Sequence, residues 1–185
     1  MVAFEGLAVN GQTLAAGNIA LTGSSVDLSG SQTGAANIAI TANSGNVNTS
    51  NATVATSGTA GVLGITAKTN NTQTLDNTQG TLSAVQLNLD IANLTNTQGQ
   101  ITQTGVGDTS IVLTSPTGTL NNTGGTLTAA SGVVPNYTNG IFLLTGDRTV
   151  RVMGTSTSTI STDFRVGGGE TVFSNFEVGN TGDAS

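Results

Sequence analysis

Ten carboxylates, no histidine and no cysteine define the chemistry open to this 185-residue chain. Glycoside cleavage needs two carboxyl groups facing each other across a sugar bond, and stacked β-structure can assemble such a pair from residues far apart in sequence. Here the acids are dispersed: Asp76, Asp90 and Asp108 are expected in different structural repeats, and no two acids stand within three residues of each other. The missing His and Cys remove imidazole acid–base chemistry, thiol nucleophiles, disulfides and the usual zinc sites together. Gly105-Val106-Gly107-Asp108 has a superficial likeness to a calcium-binding glycine–aspartate repeat. It occurs once, without the stacked copies that complete such a site, and reads as a loop. Residues 155–159, Thr-Ser-Thr-Ser-Thr, offer a row of hydroxyls of the kind ice-binding solenoids use. Those solenoids use many aligned rows, so this single stretch reads as an exposed strand edge. Asn-x-Ser/Thr sequons at Asn48, Asn51, Asn70, Asn93, Asn121 and Asn136 are expected by chance in a chain so rich in both residue types. The expectation is a protein with no catalytic residue, no cofactor-binding residue and no metal ligand: not an enzyme, and one that needs no metal to fold.

Partners are narrowed in the same way. A net charge of −6, with Lys68 and three arginines as the only cations, supplies no basic stripe for phosphates. One Tyr and no Trp leave little to stack on bases, so no nucleic acid is expected. No run approaches the roughly 20 apolar residues of a membrane-spanning helix. The Met1-Val2-Ala3-Phe4-Glu5 start lacks the basic and apolar regions of a signal peptide, so any export signal is expected outside this sequence.

With 8% charged residues and 36% hydrophobic ones, the chain is not composed like a disordered segment. Leu, Ile and Val recur in short alternating groups, the period of β-strands. The 26 glycines have no strict three-residue period and there are two prolines, which excludes a collagen helix. β-Branched residues and glycine weaken every helical candidate.

Internal repeats organise what remains. The apolar pairs Ile19/Leu21, Ile38/Ile40, Leu63/Ile65, Val85/Leu87 and Ile111/Leu113 follow at intervals of 19, 25, 22 and 26 residues, each marking a strand whose side chains are expected to point inward. A second repeat fits Leu-x-Asn-Thr-x-Gly-x-(Leu/Ile): Leu75-Asp76-Asn77-Thr78-Gln79-Gly80-Thr81-Leu82, Leu94-Thr95-Asn96-Thr97-Gln98-Gly99-Gln100-Ile101, and Leu120-Asn121-Asn122-Thr123-Gly124-Gly125-Thr126-Leu127. The first spacing is 19 residues and the second 26, and the seven extra residues are expected in a bulging loop at 102–109. The flanking Leu and Ile point into a core, Gly is expected to supply the positive φ of a sharp corner, and Asn at one corner can stack in an amide ladder. Each unit is too small to fold alone, so about five or six coils must stack at ~4.8 Å into a rod about 25–30 Å long. The fold class is therefore all-β: a right-handed parallel β-helix (β-solenoid) over residues 1–132.

Beyond Gly132 the composition shifts. Five of the six aromatics (Tyr137, Phe142, Phe164, Phe173, Phe176) and all three arginines (Arg148, Arg151, Arg165) lie there, while strand patterns continue at 141–144, 149–153 and 171–178. Residues 133–185 are expected to form a distinct β-rich segment that covers the open end of the solenoid.

The Leu-x-Asn-Thr-x-Gly-x-Leu corner followed by a Val-x-Leu strand resembles the haemagglutinin repeats of filamentous haemagglutinin and related two-partner-secretion exoproteins, including the stalks of contact-dependent inhibition toxins. The resemblance spans residues 14–132 and is strongest over 75–127. It implies an adhesive stalk, exported through an outer-membrane pore partner to the bacterial cell surface, that contacts a host or neighbouring-cell receptor or glycan. It also implies a monomeric rod with no small-molecule substrate and no cofactor, and marks this chain as an internal or engineered fragment of such a protein. In the tail, Phe164-Arg165-Val166-Gly167-Gly168-Gly169-Glu170-Thr171-Val172-Phe173 and Phe176-Glu177-Val178-Gly179-Asn180 look like phage and algal-virus fibre repeats. That likeness implies the alternative, a trimeric attachment fibre of a virion. A polysaccharide-active β-helix enzyme is a third reading, which requires carboxylates converging on one face.

Overall fold

The computed structural model describes residues 1–2, 5–105, 108–113, 120–129, 131–132, 141–144, 149–154 and 175–180, with side chains at 1–2, 5–105, 111 and 121–127. The chain makes three strands per coil. The first coil is β1 (Leu7–Ala8), β2 (Gln12–Leu14) and β3 (Asn18–Gly23), and the second β4 (Val26–Asp27), β5 (Gln32–Ala35) and β6 (Asn37–Ala42). The third is β7 (Val47–Asn48), β8 (Thr53–Thr56) and β9 (Val62–Ala67), and the fourth β10 (Thr74–Asp76), β11 (Thr81–Ala84) and β12 (Gln86–Ile91). The fifth is β13 (Asn93–Thr95), β14 (Gln100–Gln103) and β15 (Asp108–Leu113). A sixth begins with β16 (Leu120–Asn121), β17 (Thr126–Ala129) and β18 (Ser131–Gly132).

Strands three apart in sequence pair in parallel, which builds three faces: β1-β4-β7-β10-β13-β16, then β2-β5-β8-β11-β14-β17, then β3-β6-β9-β12-β15. The fold is the expected parallel β-solenoid, all-β in every described residue. Period-2 alternation explains each strand. In β12 the sequence Gln-Leu-Asn-Leu-Asp-Ile buries Leu87, Leu89 and Ile91 and turns Gln86, Asn88 and Asp90 outward. The inward columns pass without a break from coil to coil. Ile19, Ile38, Leu63 and Leu87 form one on the third face, and Val26, Val47, Leu75 and Leu94 one on the first.

Two details of the expected register are corrected. In the fourth coil the stacked residues are Leu87 and Leu89, which lie over Leu63 and Ile65, and not Val85 and Leu87; in the fifth, Ile111 and Leu113 register with Leu89 and Ile91, in the columns of Ile65 and Ala67 rather than those of Leu63 and Ile65. Val85 sits half-buried at the bend between β11 and β12, where the chain turns from the second face to the third. A two-residue slip preserves the inward parity of a strand, so alternation alone cannot separate the two registers. Ile19, Leu21, Ile38, Ile40, Leu63, Ile65, Leu87 and Ile111 are buried as expected; the side chain of Leu113 lies outside the described residues.

The seven-residue insertion is also divided rather than placed wholly at 102–109. Residues 100–103 form β14, whose Ile101 stands 19 residues after its partner Leu82. Ile111 stands 22 after Leu89, so three extra residues fall at the corner after β14. Leu120 stands 26 after Leu94, so the other four fall between β15 and β16. Corners absorb length because they lie outside the hydrogen-bonded columns.

Beyond Gly132, β19 (Ile141–Leu144) pairs with β17 on the second face, and β20 (Thr149–Gly154) and β21 (Asn175–Asn180) extend the third. Phe142 registers with Leu127. Residues 155–174, including the hydroxyl-rich stretch 155–159, Phe164, Arg165 and Phe173, lie outside the described residues, as do Val106, Gly107 and Asn136.

Among the described residues three buried hydroxyls, of Ser31, Thr33 and Thr56, lack a hydrogen-bond partner, and that of Thr33 stands in an otherwise apolar column. On the second face Thr33 occupies the column of Val54, Leu82 and Ile101, is 1% exposed, and its hydroxyl has no hydrogen-bond partner. Thr33→Val, which removes an unsatisfied buried hydroxyl at nearly constant volume, is expected to stabilise the fold by about 1 kcal/mol in chemical denaturation. The corrected register is checked by Leu89→Ala, expected to cost about 2–5 kcal/mol, against Val85→Ala at the half-buried bend, expected to cost clearly less. Equal losses would restore the other register.

Candidate functional site

The most ordered polar structure in the molecule is the corner between the first and second faces. From the second coil on the chain reverses through four residues: Leu28-Ser29-Gly30-Ser31, Thr49-Ser50-Asn51-Ala52, Asn77-Thr78-Gln79-Gly80, Asn96-Thr97-Gln98-Gly99 and Asn122-Thr123-Gly124-Gly125. In each, the backbone N–H of the fourth residue donates to the carbonyl of the first, at 2.9–3.2 Å. The third residue has positive φ: 65° at Gly30, 56° at Asn51, 57° at Gln79, 55° at Gln98 and 64° at Gly124.

This corrects the role expected of the repeat's glycine. Gly80, Gly99 and Gly125 stand one place after the left-handed residue, and space, not φ, selects them. A Cβ on Gly99 would lie 2.2 Å from the carbonyl oxygen of Asn77 and 2.4 Å from Oδ1 of Asn96. A Cβ on Gly125 would lie 2.0 Å from the carbonyl oxygen of Asn96. The fourth corner position packs directly against the backbone of the preceding coil.

The glycine leaves room for the asparagines beside it. Asn77, Asn96 and Asn122 are fully buried, and their amides form the expected ladder. Asn77 Nδ2 donates to Asn96 Oδ1 at 2.6 Å, and Asn96 Nδ2 to Asn122 Oδ1 at 2.5 Å. The second proton of each amide turns back to its own corner: Asn77 to Gly80 O, Asn96 to Gly99 O and Asn122 to Gly125 O, at 3.1–3.2 Å. Thr49 begins the ladder by donating its hydroxyl to Asn77 Oδ1 at 2.9 Å. A primary amide suits this column because it has both donors and an acceptor, so every buried polar atom finds a partner one coil away.

The variable position before each Asn is a missed element of the repeat. Asn48, Asp76 and Asn121 each accept, at Oδ1, the backbone N–H and the hydroxyl of the residue two places on: Ser50, Thr78 and Thr123. These are Asx turns. The signal was present as Asp or Asn in two of the three copies, with Thr95 as the exception. The two earlier coils have the same corner without the Asn-Thr signature. Gln73 and Gln103 are likewise buried and functional in packing. Gln73 Nε2 caps the carbonyls of Ala42 and Gly45, and Gln103 Oε1 accepts from the N–H of Leu87.

No arrangement of acids suited to bond cleavage accompanies this. Asp76 and Asp90 turn out to share the fourth coil, contrary to the expectation of different coils, but they lie on different faces. Asp27 and Asp76 share a column with Asn48 between them. Asp90 pairs with Lys68 at the surface, where both are more than a third exposed and the ion pair adds little. Asp108 begins β15, after the part of the glycine loop that is not described. Among the described residues no group of three or more acids is placed to hold a metal ion. Comparisons with protein-family models, with curated proteins and with solved structures find no match to this chain.

Two substitutions at one corner separate the roles of space and φ. Gly99→Ala is expected to cost at least about 2 kcal/mol, by overpacking and by disturbing the ladder. Gln98→Gly, which relieves a left-handed non-glycine residue, is expected to change stability by no more than about 1 kcal/mol. Thermal or denaturant melts read both, and the reverse order would return the glycine to a conformational role.

Proposed function

We propose that the chain is a structural and adhesive stalk segment of a secreted, cell-surface β-helical adhesin of the filamentous haemagglutinin type. The observation that carries the reading is a core completed within one chain and continued from coil to coil by matched columns, with Leu63, Leu75, Leu82 and Leu87 fully buried. Such a stack resists bending and has no interior left for a substrate. Its outer positions are small, polar and mostly uncharged, a composition that suits display on an exposed rod. The same self-contained core favours the stalk over the virus fibre, whose trimeric assembly would share core residues among chains. The partner of a stalk would be a receptor or glycan on a host or neighbouring cell, with the outer-membrane pore engaged during export. Cleavage chemistry, cofactors and structural metal have no part in this reading.

Light scattering of the full chain is expected to give the mass of one chain, and beads coated with it are expected to attach to host or sibling cells. A trimer would move the reading to the virus fibre. Depolymerisation of an acidic polysaccharide, or loss of the thermal transition on adding chelator, would overturn the non-enzymatic, metal-free part.

A further inference from the structure

Outward hydroxyls at the corners and on the second face of this solenoid differ. Those of Ser50, Thr78 and Thr123, at the corners, are turned inward to an Asx oxygen. Those of the second face are not. Thr53 in β8, Thr81 and Ser83 in β11, Thr102 in β14 and Thr126 in β17 are exposed or half-buried, and none of these side chains makes a hydrogen bond within the protein.

Register converts these residues into a grid. Thr53, Thr81, Gln100 and Thr126 form one column, and Ala55, Ser83 and Thr102 the next. Five of these seven positions are Thr or Ser. Columns advance by ~4.8 Å per coil, and positions two apart along a strand are separated by about 6.6 Å. The array is stiff, because the residues between, Val54, Leu82, Ile101 and Leu127, are buried. No charged or aromatic residue occurs in the four strands. The other two faces differ. The first carries Asp27 and Asp76; the third has its own stacked hydroxyls at Thr22, Thr41 and Thr66, but that column runs into Asp90, paired with Lys68, and the face also carries the amide bond from Asn37 to Asn18.

We propose that this second face, over β8, β11, β14 and β17, adsorbs to ice. The surface of ice is an uncharged two-dimensional lattice of oxygens, each both donor and acceptor, and a Thr or Ser hydroxyl is both as well. The two repeats of the grid are similar in size to oxygen repeats on the prism faces of hexagonal ice. Ions would hold hydration shells that do not fit that lattice, and the face has none. A crystalline polysaccharide would call for aromatic platforms, and the face has none of those either. Rigidity supplies the remaining requirement, since a preordered array loses little side-chain freedom on adsorption. The proposal does not depend on the receptor of the stalk reading.

The test uses the full chain in ice-recrystallisation and single-crystal growth assays. The protein is expected to facet growing crystals and to suppress recrystallisation. Thr81→Lys/Thr102→Lys is expected to lose both effects with an unchanged melting temperature. Ala39→Lys/Asn88→Lys, with the same added charge on exposed positions of the third face, is expected to keep them. If the first variant does not fold, Thr102→Tyr, which adds bulk without charge at one grid point, is expected to give the same loss. Round, unshaped crystals with the unaltered chain, equal loss in the two lysine variants, or adsorption to crystalline cellulose without adsorption to ice would overturn the proposal.

Discussion

Every coil must retrace the backbone path of the coil beneath it at one strand spacing, and that requirement governs almost every side chain described. A residue is acceptable only if it fits its column above and below. At most apolar positions the column holds Leu, Ile or Val of similar volume, as in Leu75 over Leu94, although Ile91 lies over Ala67. For the corner column it selects something stricter. Once the column becomes polar at Thr49, each buried donor needs an acceptor one coil away, and asparagine satisfies that need repeatedly. The neighbouring glycines then follow from geometry, because the Asn side chain and the preceding carbonyl occupy the space a Cβ would take.

The corner also shows how the polar and apolar parts of the stack support each other. Leu28 fills the column in the second coil where Thr49 and then Asn77 stand in later coils, so the ladder starts against an apolar floor. Below that level the fourth corner position is Ser31 or Ala52, and only above it does glycine become fixed. Outside the ladder, Asx turns hold Ser50, Thr78 and Thr123, which leaves the outward edge of the corner closed on itself. The second face, whose outward hydroxyls have no such internal partner, leaves an uncharged surface free to meet water or a ligand.

Much of this was legible in residues 75–127, where three copies of one corner expose the spacing, the inward Leu and Ile, and the stacked Asn. Parity was readable and phase was not: Val85/Leu87 and Leu87/Leu89 both alternate correctly, and only pairing with Leu63 and Ile65 selects the second. The glycine stands out in the repeat but its reason does not, since a sequence does not show that positive φ falls on Gln79 and Gln98, one place earlier. The corners at Leu28 and Thr49 were hidden because different side chains satisfy the same backbone. The hydroxyl grid was invisible for a different reason. Its members are about 20 to 28 residues apart and become neighbours only when the insertions of each coil are assigned to their corners.

A rod of matched columns is a sensible scaffold for presenting a surface at a distance, and both the adhesive reading and the ice-adsorbing face rely on its stiffness. Beside the packed apolar columns, that stiffness draws on coupling between coils through the buried amides. A double-mutant cycle on Asn77→Ala and Asn96→Ala, read by denaturant unfolding, measures that coupling directly. The pair is expected to be clearly non-additive, with an interaction energy of about 1 kcal/mol or more. Strict additivity of the two losses would mean that the amides do not act as a ladder.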